Sequence, residues 1–322
     1  MKFRALVFAA VLVGAVGAPA AQPVAQSAHR RDPYVGAISA DAATGRVIAA
    51  DREDVEAYPA SVTKLMTAFL VLEDIAAGRY SFTNMVVATP AVYMSEASWV
   101  GLKAGERMSV RDLLYAMLVE SANDAAIALG VNSAGSFDAF VAKMNARAAE
   151  LGMTRTRYYN PNGLPPNPAR RYPWKNFNVS TAADQLRLAL EVVKRPEIFE
   201  FTSVKTCDLV KTPYGYRVNV TRAVNRPQRE TRLAHGETIV KTLKNHNRIM
   251  REDKLKLFNP DGSEAVDGLK TGFIKAGGSS IVLTGTRGGK RAVVVVLGSA
   301  SADIREANAK RLLADALGAL VW

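Results

Sequence analysis

One cysteine, three histidines and no Gly-x-Ser-x-Gly in 322 residues remove several chemistries at the outset. Cys207 has no second thiol to pair with inside the chain, so an internal disulfide is excluded and a buried, incidental thiol is the reading left. His29, His235 and His246 do not supply the spacing of an imidazole metal site, and the serine–histidine elbow of many hydrolases is missing. No metal and no cofactor is therefore expected. Aromatics make up only 7%, and the lysines and arginines behind the net charge of +12 are spread along the chain rather than interleaved with rings. Nucleic acid is accordingly not an expected partner. No segment after the first twenty residues is apolar for long enough to span a bilayer.

What is present is ordinary globular composition, 48% hydrophobic and 22% charged, with length for a substantial core. The first twenty residues differ from the rest. Lys2 and Arg4 form a basic start, Ala5 to Val16 is apolar, and Ala18-Pro19-Ala20 offers the small residues of a cleavage site. Residues 1–20 are read as a secretory signal peptide, which places the protein in the periplasm or cell-wall space. Residues 21–32 read as a flexible tether, and 33–322 as the folded part. Losing the leader removes Lys2 and Arg4 and no acid, so the net charge falls from +12 to +10. A basic exported protein suits an anionic partner such as a carboxylate-bearing polymer.

Periodicity gives an outline of the fold. Tyr34 to Ala50 alternates around Asp41-Ala42-Ala43-Thr44-Gly45 as a hairpin. A helix follows Ser61 and stops at Gly78; others begin at Ser109, near Ala125, at Ser136 and at Ser180-Thr181. The stretch from Met85 to Val100 reads as irregular, and Phe201 to Leu243 is too basic and weakly patterned to assign. Gly268 to Ile274, Ser280 to Thr286 and Ala292 to Gly298 read as three strands joined by tight turns, and Asp303 to Leu320 as a closing helix. The fold class expected is α/β in the α+β sense. An antiparallel sheet is built from the N-terminal hairpin and the C-terminal strands, helices cover it, and a helical lobe over roughly 60–250 is inserted between.

Ser61-Val62-Thr63-Lys64 opens the first helix, which puts a hydroxyl and an amine one turn apart on one face, at an end favourable to developing negative charge. Alone this pair means little: about one Ser-x-x-Lys arises by chance in a chain of average composition, and a capped helix with a solvated lysine explains it. Ser121-Ala122-Asn123, in the break between two helices, could be a junction cap, and Lys270-Thr271-Gly272 a strand end. In this order and these contexts the three together match the motif set of penicillin-recognising serine enzymes.

The chain resembles the low-molecular-mass penicillin-binding proteins of the D-alanyl-D-alanine carboxypeptidase group over roughly 33–322, with a β-lactamase/transpeptidase-like fold. Tyr58 to Thr67, Ser121 to Ala126, Phe140 to Asn145, Leu151-Gly152-Met153, Asn160 to Leu164 and Val266 to Gly272 all carry the likeness. The resemblance implies hydrolysis of the terminal D-alanine from peptidoglycan stem peptides through an acyl-enzyme on Ser61, with β-lactam antibiotics as acylating inhibitors. Lys64 is then the base and Ser121 a proton relay. Asn123 orients the substrate amide, Lys270 and Thr271 hold its carboxylate, and Gly272 permits close approach. The N–H groups of Ser61 and Phe273 form the oxyanion hole, and Arg305 assists carboxylate recognition. A D,D-endopeptidase acting on cross-links is the alternative; a β-lactamase or a non-catalytic cell-wall binder fits less well. Because the sequence ends at Trp322, no separate C-terminal β domain is expected, and membrane association is expected to be peripheral at most.

Overall fold

The computed structural model describes residues 32–321, apart from 95, 96 and 171. The expected leader at 1–20, and the tether up to residue 31, lie outside the described residues.

In chain order the main elements begin with β1 (Gly36–Asp41), β2 (Val47–Asp51), α1 (Lys64–Ala76), β3 (Met85–Val87) and β4 (Arg107–Ser109). There follow α2 (Val110–Val119), α3 (Asn123–Ala134), α4 (Phe137–Glu150), α5 (Ala182–Val193) and α6 (Ile198–Thr202). Then come β5 (Val204–Thr212), β6 (Gly215–Ala223), β7 (Thr238–Lys244) and the short α7 (Arg248–Arg251). The chain closes with β8 (Val266–Ile274), β9 (Gly278–Arg287), β10 (Lys290–Ser299) and α8 (Ala302–Val321).

The N-terminal hairpin and the three C-terminal strands join in one antiparallel sheet of order β2-β1-β10-β9-β8, as the sequence indicated. β10 shows why the ends of the chain must meet. Its residues Val293, Val295 and Leu297 belong to one hydrophobic cluster, whereas Ala292, Val294 and Val296 belong to another. Successive side chains point to opposite faces of a strand, so a run apolar at every position is buried only when both faces are covered. α8 covers one face with Ala309, Leu312, Leu313, Ala316 and Leu317. On the other face, α5 and the large core around α1, α2 and α3 complete the sandwich.

α1 is the axis of that core: Leu65, Met66, Ala68, Phe69, Leu70 and Val71 are all essentially inaccessible to water. A helix apolar on every side has to be interior. Helix starts follow their caps, with Ser109 accepting from the Asp112 N–H, Ser136 from Ala139 and Thr181 from Asp184.

The inserted lobe differs from the expectation. It is mixed rather than helical, because it holds a second five-stranded sheet of order β3-β4-β6-β5-β7. The unassigned segment from Phe201 to Leu243 supplies three of these strands, and β3 falls in the stretch taken as irregular. β7 gives little signal because it is exposed at every position but Leu243. β6 does alternate, with Tyr216, Val218 and Val220 partly buried against the core and Arg217, Asn219 and Thr221 between them, a pattern the sequence reading left unassigned. Among the described residues no single helix is long and apolar enough to cross a membrane.

Candidate active site

Ser61 lies in a 3-10 turn, Ala60–Thr63, that runs directly into α1, whose first residue is Lys64. The turn is tight enough to hold Ala60 at φ +49°, a left-handed conformation uncommon for a residue with a Cβ. Lys64 is fully buried. Its Nζ lies 2.9 Å from Ser61 Oγ, 2.7 Å from Asn123 Oδ1 and 2.7 Å from the backbone carbonyl of Asn162. Burial, and then the positive charge of Lys270, hold its pKa well below that of an ordinary lysine, against the opposing pull of Asp124. A neutral amine has two N–H bonds and one lone pair. The two carbonyl oxygens have no hydrogen to give, so they take the N–H bonds, and the lone pair is left for the Ser61 hydroxyl.

The carbonyl of Asn162 is itself fixed by a compact asparagine scaffold. Asn160 accepts from the Gly163 N–H at 2.6 Å and donates to the Leu164 carbonyl at 3.0 Å, while Asn162 Oδ1 accepts from the Leu164 N–H at 3.0 Å. Asn178 donates to Thr63 Oγ1 and to the Asn160 carbonyl, both at 3.0 Å, tying the loop to the serine turn. Gly163 has φ +82°, and a Cβ there would sit 1.9 Å from the Ala60 carbonyl oxygen, so the loop can press on the turn only through glycine. The sequence reading assigned no role to Asn160, Asn162 or Asn178; the signal available was the Asn-Pro-Asn-Gly run itself.

The junction between α2 and α3 delivers the second motif. Ser121 is buried and sits at φ +63°, while Asn123 begins α3 and donates its N–H to the Ser98 carbonyl at 2.8 Å. Asp124, also buried, accepts the N–H groups of Gly101 and Leu102 at 2.9 and 3.0 Å and so pins the preceding loop over the start of α3. Next to Ser121, Glu120 accepts from Lys241 Nζ at 2.5 Å and from the Lys244 N–H at 3.2 Å. The edge strand β7 is thereby clamped to the junction.

β8 forms the opposite wall. Lys270 is buried, donates to the Thr271 carbonyl at 2.9 Å, and has its pKa lowered to about 7 by burial first and then by Arg305. Arg305, near the start of α8, is itself buried and is bound to Glu306 Oε1 at 2.5 Å. Lys270 therefore lies in the fields of both Lys64 and Arg305. A Cβ at Gly272 would meet the Pro59 carbonyl oxygen at 2.5 Å and the N–H nitrogens of Ser61 and Val62 at 3.1 Å. The strand accordingly lies flat against the serine turn. The Phe273 side chain is 64% exposed, so only its backbone belongs to this contact. His246, given no role by the sequence reading, keeps part of its surface in water. Burial of the remainder, then Lys270 and, more weakly, Lys64 lower its pKa, leaving the imidazole neutral at pH 7.

A hydroxyl in contact with a deprotonatable buried amine, with Lys270 on β8 and Arg305 on α8 as two further buried cations, is the layout of an acyl-transferring serine enzyme. The comparisons agree. The family model described as D-alanyl-D-alanine carboxypeptidase matches residues 26–301, and the chain belongs to that family. The D-alanyl-D-alanine carboxypeptidase DacC of Escherichia coli is 30% identical over 280 residues, covering 85% of this chain and 58% of its own length. The crystal structure of the D-alanyl-D-alanine carboxypeptidase DacD from Francisella tularensis superposes with a TM-score of 0.74 at 27% identity, over 95% of this chain and 75% of that one. Penicillin-binding protein D2 from Listeria monocytogenes, solved in its ampicillin-bound form, matches with a TM-score of 0.64 at 27% identity, over 88% and 97% of the two chains. The chain spans 58% of the length of each of the first two curated relatives it matches.

Proposed function

We propose that this protein is a serine D-alanyl-D-alanine carboxypeptidase that removes the terminal D-alanine from peptidoglycan stem peptides in the periplasm or cell-wall space. The observation that carries the reading is the Lys64 amine, buried and with both N–H bonds committed to carbonyl oxygens, aimed at Ser61 Oγ at 2.9 Å.

In this reading Lys64 takes the hydroxyl proton as Ser61 Oγ bonds to the penultimate D-alanine carbonyl carbon. The oxygen of that carbonyl becomes an oxyanion held by the N–H groups of Ser61 and Phe273; the closeness of Gly272 to the Ser61 nitrogen supports this placement. The C–N bond then breaks, and the leaving amine receives a proton through Ser121. Water attacks the acyl-enzyme with Lys64 again as base, releasing the shortened stem and restoring Ser61. Lys270, Thr271 and Arg305 hold the terminal carboxylate, and Asn123 orients the amide. A β-lactam follows the first half of this path, but its leaving nitrogen stays tethered through the opened ring, so the acyl-enzyme persists.

The test is covalent labelling by a fluorescent penicillin. Wild-type protein should label at Ser61 and the Ser61→Ala variant should not; a folded wild type that never labels would overturn the reading and favour a cell-wall binder. Incubation with a pentapeptide stem and with cross-linked dimers then separates carboxypeptidase from endopeptidase. Release of free D-alanine before any dimer is cut is the expected result.

A further inference from the structure

A cavity of about 490 Å³ opens where β6 ends, on the lobe's second sheet, among Tyr115, Glu200, Thr221, Arg222, Arg226 and Arg229. Its charge is out of balance. Glu200, the acid in its lining, is already bound by Arg111 and by the Tyr115 hydroxyl at 2.9 Å. Asp253, whose charge reaches Arg222, is bound to Lys256 at 2.7 Å. Arg222, Arg226 and Arg229, which line this one space, form no ion pair with any described residue. By contrast, Arg217 is paired with Glu237 and Arg147 with Glu73.

The backbone that carries them is fixed. The Arg229 N–H donates to the Thr221 carbonyl at 2.8 Å, folding the loop back over the strand end. Asn225 exchanges two hydrogen bonds with the backbone of Glu264, at 2.9 and 3.0 Å, and Thr231 donates to Asp208 at 2.7 Å. The loop is thus pinned before, between and after the arginines, while their side chains remain unengaged.

We propose that this cavity is a binding site for a phosphate group carried on an organic ligand. Guanidinium forks match the oxygens of a phosphate bidentately, and several of them around one anion favour phosphate over a singly charged carboxylate. The volume exceeds what the bare anion fills, which leaves room for the group it is attached to. Tyr115, on the cavity wall, lies on α2, the helix that ends at the Ser121 junction.

The site is tested by isothermal titration of the full-length protein with glycerol phosphate, with acetate at matched ionic strength as the control. A double variant, Arg226→Gln with Arg229→Gln, replaces two exposed side chains outside the catalytic cleft, and retained penicillin labelling shows that it is folded. Wild type should bind glycerol phosphate, and the double variant should bind it about tenfold more weakly or worse, with acetate binding neither. Sedimentation with phosphatidylglycerol vesicles, lost in the same variant, would assign the phosphate to a lipid; its absence alongside glycerol phosphate binding would assign it to a soluble ligand. Equal binding by wild type and variant, no binding by wild type, or acetate binding as well as glycerol phosphate would each overturn the proposal.

Discussion

The backbone carbonyl of Asn162 accepts a hydrogen bond from Lys64 Nζ at 2.7 Å, across 98 positions of sequence. This contact decides which way the amine faces, because it occupies one of the two N–H bonds that a neutral lysine has.

Asn160→Ala should therefore damage the chemistry without touching a reacting group. It removes the acceptor for the Gly163 N–H and the donor to the Leu164 carbonyl, both buried. Leaving such groups unpaired costs about 1–3 kcal/mol of stability, and a displacement near 1 Å at the Lys64 acceptor slows acylation by about a hundredfold. Thermal unfolding and the rate of penicillin labelling measure the two effects separately.

Gly272→Ala tests the contact between β8 and the serine turn. The added methyl group would lie 2.5 Å from the Pro59 carbonyl oxygen, a backbone atom that cannot rotate away. The strand and the turn must separate, which pulls the Ser61 and Phe273 N–H groups apart. Acylation should fall by about a hundredfold or more, as for loss of one oxyanion donor. Labelling kinetics with an unchanged circular dichroism spectrum would confirm the cause as local.

Glu120→Gln examines why Ser121, a residue with a Cβ, holds φ +63°. The Glu120 carboxylate ties this junction to β7 through Lys241 and the Lys244 N–H. The amide can accept with only one oxygen, so one tie is lost. Stability should drop by about 1 kcal/mol at most, since Lys241 is half in water. The acylation rate should fall further than that loss explains, by about tenfold. A parallel measurement on Lys241→Met should give the same ratio of effects if the clamp is the cause.

The pH profile follows from two buried lysines. In the proposed mechanism acylation needs neutral Lys64, so the rate should rise with pH as that amine loses its proton, and carboxylate binding needs charged Lys270, so it should fall as pH passes about 7. The result is a bell whose basic limb belongs to Lys270. The same lowered pKa has a stability consequence. Between about 7 and the ordinary lysine value of 10.5 the unfolded chain binds more protons at residue 270 than the folded one, so its contribution to stability improves as pH rises through that window. Lys270→Met should accordingly raise the melting temperature at pH 6 more than at pH 10, while the basic limb of the profile disappears.

Much of this was present in the chain before any coordinates. The Ser61–Lys64 spacing fixes a hydroxyl and an amine on one face because a helical turn leaves them no other choice, and the uninterrupted apolar run of β10 can be satisfied only by a sheet covered on both sides. Those are local rules acting on local sequence. Three things needed the assembled molecule. The order of the second sheet was hidden because β7 is exposed at every position but Leu243, and because β6, whose Tyr216, Val218 and Val220 do alternate with polar residues, pairs with β4 from a distant part of the chain. The role of Asn162 was hidden because it acts through a backbone carbonyl, which every residue possesses. The uncompensated charge at Arg222, Arg226 and Arg229 was hidden because only packing reveals which arginines find a carboxylate and which are left facing a cavity.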